Sequence, residues 1–279
     1  MTTHVAAVTD ADPDGRADAP GQRSMLRSVA LPTEHGGWGL TFEPVLLGLL
    51  VAWSAAGVCL GLAAFVAFTA RTPLKVLLVD ARRRRFLPRT RLARRVLATE
   101  AVLFLTLAAG AIALDAATFW MPLIAIVPLV AVELWFDMRS RSRRLLPELF
   151  GAVGMGGVVA VIVSAGGGSG RLAAACWVIL AARSVTAIVT VRDQVGRIHG
   201  RPGTPRLVLA ADLAAIAIAA FAVIVDRSTI VGAIAVAAAV AIQRALNIRP
   251  TSRAVVIGVR QTLLGLAVVA ATAIGVLWT

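Results

Sequence analysis

The sequence contains no tyrosine, only two cysteines and few charged residues for its length. Charged side chains make up 15% of its 279 residues, whereas hydrophobic ones make up 58% and the mean hydropathy is +0.83. An apolar share this high excludes an ordinary soluble domain and indicates a polytopic membrane protein. Cys59 and Cys176 lie far apart within apolar runs, which excludes a disulfide framework and a cysteine-based metal site.

Several functional signatures are also missing. The net charge of +13 would suit a nucleic-acid partner, but no basic surface is interleaved with aromatic residues, so we expect no nucleic-acid binding. The chain has no Walker loop, no Gly-x-Ser-x-Gly and no His-Glu-x-x-His. We therefore expect no cofactor and no metal, and no protein partner follows from the sequence.

Nine apolar runs are long enough to cross about 30 Å of hydrocarbon as helices. The predicted spans are 38–54, 57–79, 96–114, 117–136, 146–165, 171–191, 207–225, 228–246 and 255–278. The predicted fold class is thus all-α, a polytopic bundle of nine transmembrane helices. Residues 1–30, rich in Ala, Asp, Pro and Gly, are predicted to be a disordered cytoplasmic tail before a transmembrane domain at 31–279.

The basic residues occupy alternate connectors. All but three of the 28 Lys and Arg residues lie in the N-terminal tail or at the span ends and connectors on the same side as the tail. The exceptions are Arg171, Arg183 and Arg227. Because Lys and Arg are enriched in cytoplasmic loops, we expect a multi-pass protein of the cell membrane with a cytoplasmic N-terminus and an external C-terminus.

An internal repeat appears at an offset of 112 residues. The segment RTPLKVLLVD from Arg71 lies over RSVTAIVTVR from Arg183, and RRVLATE from Arg94 lies over RLVLAAD from Arg206. We predict two four-helix repeats, at about 31–141 and 145–250, followed by a ninth helix at about 255–278. Duplicated membrane folds usually place their site where the repeats meet.

The two repeated arginines are the first candidate site. Arg71 and Arg183 each lie about 13 Å from the charged end of their helix, beyond the reach of snorkelling, so both should face inward. Such arginines either bind an anionic ligand or pair with carboxylates, for which Glu100 and Asp212 are candidates. We expect a cationic, cytoplasm-facing cavity shared by both arginines. The predicted ligand-binding residues are Arg71, Lys75, Arg183, Arg192, Glu100 and Asp212.

A second candidate is the segment Glu34-His35-Gly36-Gly37-Trp38-Gly39 before the first span. Its glycines allow close approach of the backbone, and Glu34 and His35 supply an acid and a group that titrates near neutrality. An interfacial turn with a structural histidine is the alternative. The catalytic candidates, if a reaction takes place, are His35, Glu34, Asp80 and Asp193.

The nine spans, the duplication and the special residues on spans two and six resemble the UbiA superfamily of intramembrane prenyltransferases. The stretch from Pro32-Thr33-Glu34-His35 through Arg71-Thr72-Pro73 is more specifically similar to the YwiC-like membrane family, over roughly residues 31–279. The UbiA resemblance implies paired aspartates that hold Mg²⁺ against a prenyl pyrophosphate. Here those positions carry Arg71 and Lys75 with a single Asp80, and Arg183 with a single Asp193.

Three functional hypotheses follow from this pattern. The first is a UbiA-like bundle whose cavity binds an anionic amphipathic or isoprenoid-type ligand from the membrane, with or without a metal-independent transferase activity. The second is a transporter or exporter of a small anion or metabolite, since inward charges and duplicated bundles also serve translocation. The third is a non-catalytic accessory subunit in which the charges only pair with one another.

Overall fold

The computed structural model describes residues 35–85, 87–114, 119–139, 144–247 and 253–279, together with Val29. All regular structure within these ranges is helical, which confirms the predicted all-α class. The helices are α1 His35–Val51, α2 Ala55–Arg82, α3 Pro88–Leu114, α4 Leu123–Met138, α5 Leu145–Gly156, α6 Val158–Ala165, α7 Gly170–Ile198, α8 Pro205–Val225, α9 Ile230–Asn247 and α10 Ala254–Leu277. Apart from Val29, the predicted tail at 1–30 lies outside the described residues.

Seven helical segments of the described chain are long and apolar enough to cross a membrane, when α5 and α6 are counted as one segment. The remaining two units are shorter: α1 has 17 residues and α4 has 16. Each of the nine predicted spans therefore corresponds to one helical unit. The chain is an integral membrane protein with a multi-pass helical bundle.

Local sequence signals set the helix starts. The Ser54 hydroxyl accepts a hydrogen bond from the Gly57 amide at 2.9 Å at the start of α2, and the Ser169 hydroxyl accepts one from the Leu172 amide at 3.1 Å at the start of α7. Helices α3 and α8 each begin at a proline, which has no amide hydrogen to leave unpaired in the first turn.

The fifth predicted span is interrupted at Gly157, between α5 and α6. A Cβ on Gly157 would lie 2.5 Å from Ile126 of α4 and 2.9 Å from Trp177 of α7, so glycine allows the three helices to approach. Beside the interruption, the Trp177 indole N–H donates to the Val153 carbonyl at 2.7 Å. The same carbonyl also accepts from the Gly157 amide at 3.2 Å, so the indole adds a second donor beside the interruption.

The centre of the bundle is formed by α1, α6 and α7. Their side chains build an apolar cluster of Leu47, Val159, Ala160, Val163, Ala173, Cys176 and Leu180, which α10 completes with Val269 and Ala273. Helix α3 lies at the edge and packs chiefly against α2. Its outer surface, including Val102 (65% exposed) and Ile112 (63% exposed), is suited to contact with lipid.

Gly265 marks the crossing of α10 and α1. A Cβ there would overlap the carboxylate of Glu43, which is buried, whereas a Cβ on Gly258 of the same helix would meet no described residue within 4 Å. We expect Gly265→Leu to lower the free energy of unfolding by about 1–3 kcal/mol through overpacking. The control Gly258→Leu should change it by less than about 0.5 kcal/mol. Thermal unfolding in detergent compares the two, and equal melting temperatures would contradict this packing.

Candidate functional site

A cavity of about 1150 Å³ lies among six helical segments of the bundle. Helix α1 and the combined α5–α6 segment contribute residues from their first halves, and α4 and α7 contribute residues mainly from their last halves. The cavity therefore lies toward one end of an antiparallel bundle. Its apolar wall includes Leu40, Phe68, Leu74, Leu97, Phe104, Leu105, Val130, Leu134, Met155, Ile188 and Val191. Its charged lining consists of Arg71, Glu100, Glu133, Glu148, Arg192 and Arg201, with His199 beside them.

Arg71 enters this cavity from α2 and is held by two carboxylates of α4. Its guanidinium lies 2.7 Å from Glu133 and 3.0 Å from Asp137, and the Lys75 ammonium lies 3.2 Å from the other oxygen of Asp137. The Asp137 side chain has no exposed surface. Arg71 and Lys75 lie four residues apart on α2, and Glu133 and Asp137 lie four residues apart on α4. Each helix therefore presents its two charges on one face.

The edge of the cavity is formed by the first turn of α5 and the end of α7. Arg192 lies 2.7 Å from Glu148, and both side chains are more than one-third exposed. His199 and Arg201 follow in the connector after α7. Among the described residues, no ion pair is found for Arg201, so it adds positive charge to this edge.

Glu100 faces the cavity from α3. Its hydrogen-bonding neighbour is Thr69 of α2, whose hydroxyl also donates to the Val66 carbonyl at 2.9 Å. The Glu100 Oε2 atom has no hydrogen-bond partner among the described residues. The cavity lining thus carries three carboxylates as well as three arginines.

Arg183 lies outside the cavity, in contrast to the prediction that both repeated arginines share one chamber. It is 3% exposed and is enclosed by α1 and α10. Its guanidinium donates to the Gln261 carbonyl at 2.6 Å and lies 3.9 Å from Glu43. The Gln261 side chain in turn bonds to Gln243 of α9 at 3.1 Å. Arg183 is therefore part of a separate buried polar cluster that joins α1, α7, α9 and α10.

Asp212, the other predicted binding residue of the second repeat, also lies away from the cavity. Its carboxylate accepts a hydrogen bond from the Thr186 hydroxyl of α7 and pairs with Arg244 of α9. Lys75 does not line the cavity either, and its ammonium lies 3.2 Å from Asp137. Of the six predicted binding residues, the structure brings Arg71, Glu100 and Arg192 together at the cavity.

The catalytic candidates are placed as follows. Asp80 accepts hydrogen bonds from Arg89 at 2.9 Å and Thr90 at 2.7 Å, and Asp193 accepts from the Thr204 amide at 2.6 Å. Asp80 thus joins the end of α2 to the start of α3, Asp193 joins α7 to the connector residue before α8, and neither lines the cavity. His35 is the first residue of α1, and Glu34 lies outside the described residues.

The glycine-rich segment before the first span forms the first turn of α1. Gly37 lines the cavity, and a Cβ on it would lie 2.6 Å from the Phe68 ring of α2. The edge of that ring also contacts Trp38, with ring centres 5.2 Å apart. The expected close approach of the backbone is therefore present at Gly37.

Glu133 and Asp137 were not predicted as partners of Arg71. The four-residue spacing of Glu133 and Asp137 matches that of Arg71 and Lys75, and this complementary spacing was a usable signal. The UbiA-type magnesium site does not fit these residues, because arginine and lysine stand where oxygen ligands are needed. Asp80 and Asp193 instead accept hydrogen bonds from Thr90 and Thr204. In the described ranges, no three His, Cys, Asp or Glu side chains form a metal-ligand group.

Comparison with known proteins gives one family. Neither the curated proteins nor the solved structures contain a match to the chain. A family model described as YwiC-like protein matches residues 31–163, a stretch of just under half the chain that includes α1 to α5 and most of α6. This match confirms the YwiC-like resemblance found in the sequence over residues 31–163.

Proposed function

We propose that the protein binds an anionic amphiphile, such as a lipid or an isoprenoid-type compound, in the cavity between α1, α2, α3, α4, α5 and α7. The observation that carries this proposal is the composition of one chamber in a membrane-type bundle. Its volume of about 1150 Å³ lies at the upper end for small-molecule sites, and its wall combines a long apolar surface with a charged edge. Such a surface matches a ligand that has an apolar chain and a polar head.

The positive charge for the head would come from Arg192 and Arg201. The ion pair of Arg192 with Glu148 is largely solvent-accessible, and pairs of this kind contribute only about 0–1 kcal/mol. A phosphate or carboxylate can therefore replace Glu148 at little cost and gain a bidentate contact with the guanidinium. Arg71 is held more firmly by Glu133 and Asp137 and would contribute its positive potential rather than a free binding group.

The alternative function suggested by the sequence is transport, which needs a path from the cavity to the opposite side of the membrane. That half of the bundle is filled by the apolar clusters around Leu47, Ile162 and Val163, each fully buried. This packing supports binding from one side over translocation. A purely structural role for the charges accounts for Arg183 and Asp212 but provides no reason for a large chamber beside Arg192 and Arg201.

The proposed architecture is two UbiA-like four-helix repeats plus a ninth helix, α10. Matching contacts support it: a serine caps both α2 and α7, and a late aspartate of each, Asp80 or Asp193, binds a threonine that precedes or opens the next helix. With the N-terminus cytoplasmic in the cell membrane, the cavity would face the cytoplasm. A metal-independent transfer reaction would have to use cavity residues other than Asp80 and Asp193.

Binding of octadecyl phosphate and octadecanol to the purified protein tests this proposal. We expect the phosphate to bind and to raise the melting temperature, and the alcohol to have a much smaller effect. Because a charge-assisted contact contributes about 1.5–3 kcal/mol, Arg201→Gln and Arg192→Gln should each weaken phosphate binding by about tenfold or more.

Arg206→Gln is the matched control, since Arg206 is exposed at the start of α8 and does not line the cavity. It should bind octadecyl phosphate like the wild type. Equal binding of phosphate and alcohol, or equal affinity in Arg201→Gln and Arg206→Gln, would contradict an anion site at this edge.

A further inference from the structure

Two charged groups of the cavity are distinguished from the rest by their lack of an ion-pair partner among the described residues. The ion pairs of Arg71 with Glu133 and of Arg192 with Glu148 leave Arg201 and Glu100 as the remaining charged lining residues. Neither Arg201 nor Glu100 forms an ion pair in the described parts of the chain. These two groups have opposite charges, so the chamber offers both a donor and an acceptor to a ligand.

The two groups also lie at different depths. Glu100 is twelve residues into α3, about 18 Å along the helix axis, and Thr69, its neighbour on α2, is thirteen residues from the end of that helix. Arg192 is six residues, about 9 Å, from the end of α7, and Arg201 lies beyond that end. If the anionic group of a ligand lies at Arg192 and Arg201, Glu100 lies deeper in the cavity. Glu100 would therefore contact the part of the ligand between its anionic group and its apolar chain.

Glu100 itself needs a hydrogen-bond donor. Its Oε2 atom is buried without a hydrogen-bond partner among the described residues, and the hydroxyl of the neighbouring Thr69 donates to the Val66 carbonyl. A buried carboxylate oxygen without a donor is costly, and rotation of the terminal carboxylate exchanges the positions of its two oxygens. Beyond Glu100 on the same helix, Phe104 and Leu105 continue the apolar wall, so the polar part of the site ends there.

From this arrangement we infer that the ligand carries a hydrogen-bond donor, a hydroxyl or an ammonium, between its anionic head and its apolar chain, and that Glu100 accepts from this donor. The ligand class is thus a phosphorylated or carboxylated amphiphile with a hydroxyl or amine next to the head. A simple isoprenyl or alkyl phosphate fills only part of the site. This inference rests on the proposed anion site at Arg192 and Arg201.

A matched series of probes tests the inference: octadecyl phosphates that carry a hydroxyl, an amine or a methoxy group at the second carbon. The first two can donate to Glu100, and the methoxy compound cannot. We expect the hydroxyl or amine compound to bind the wild type about tenfold or more tightly than the methoxy compound, since a hydrogen bond to a charged group is lost. Comparison of the hydroxyl and amine compounds then shows which of these two groups is the preferred hydrogen-bond donor.

Variants of Glu100 and Thr99 test the role of Glu100 separately from the proposed anion site. Glu100→Leu should remove the preference over the methoxy compound, whereas Glu100→Gln, which retains an acceptor, should keep part of the preference. Thr99→Val, a change at the neighbouring exposed residue, should keep all of it.

Equal binding of all three probes by the folded wild type, with Arg201→Gln still defective, would overturn the role of Glu100 while the anion site stands. Loss of all three affinities in Glu100→Leu to the same extent would also overturn it, because that result indicates a structural role. If the folded wild type binds none of the probes, the proposed function fails and this inference fails with it.

Discussion

Replacing Arg183 by methionine is expected to lower the free energy of unfolding by about 3–5 kcal/mol, because it leaves the buried Glu43 without its cation. The arginine also donates to the Gln261 carbonyl, so its removal loosens α10 as well as α1. Thermal unfolding in detergent, followed by size-exclusion chromatography, measures the change. A variant that melts with the wild type would show that this buried pair does not hold the bundle together.

Two companion variants sharpen this test. Arg192→Met lies on the same helix but removes a solvent-accessible pair, and it should cost no more than about 1 kcal/mol. The double variant Glu43→Leu with Arg183→Met removes both charges and should recover much of the lost stability, since a buried ion pair can be replaced by apolar residues of similar size. Failure of the double variant to recover would assign the effect to the Gln261 contact instead.

Asp137→Asn is the second change for which a large effect is expected. Asp137 is completely buried and faces both Arg71 and Lys75, so the neutral amide leaves two cations with one carboxylate, Glu133. We expect a loss of about 3 kcal/mol, at the lower end for buried pairs because Arg71 and Lys75 are partly exposed. The melting temperature and the fraction of monodisperse protein report this loss.

The charge balance can be restored in the same background. Adding Lys75→Met to Asp137→Asn removes the surplus cation and should return part of the stability. Glu148→Gln serves as the control, because the partly exposed Glu148 pairs only at the cavity edge. If Asp137→Asn is no less stable than Glu148→Gln, the cluster between α2 and α4 does not support the cavity wall.

The helices could be predicted from the sequence because each span is an apolar run bounded by charges, proline or a capping serine. The polar end of the bundle could be predicted for the same reason, since the charges of Arg71, Glu100 and Arg192 lie toward the same ends of their spans. Gly37 was also a sound signal, because a glycine beside an aromatic helix face permits close packing.

The position of Arg183 could not be predicted in this way. Reasoning from the repeat placed Arg183 opposite Arg71, but its strongest partner is a backbone carbonyl of α10, a helix outside the repeat. Backbone carbonyls have no signature in a sequence. The partners of Arg71 could have been predicted from the matching four-residue spacings of α2 and α4. The internal repeat predicted Glu100 as its partner instead.

If one chamber of this membrane protein holds an amphiphile, filling that chamber with a bulky side chain should abolish binding. Ala101 lines the cavity from the edge helix α3, whereas Ala98 is exposed on the same helix and does not line it. Native mass spectrometry with octadecyl phosphate should show a bound molecule in the wild type and in Ala98→Trp, and its loss in Ala101→Trp. Equal occupancy in all three proteins would contradict the claim, because the amphiphile would then be bound elsewhere.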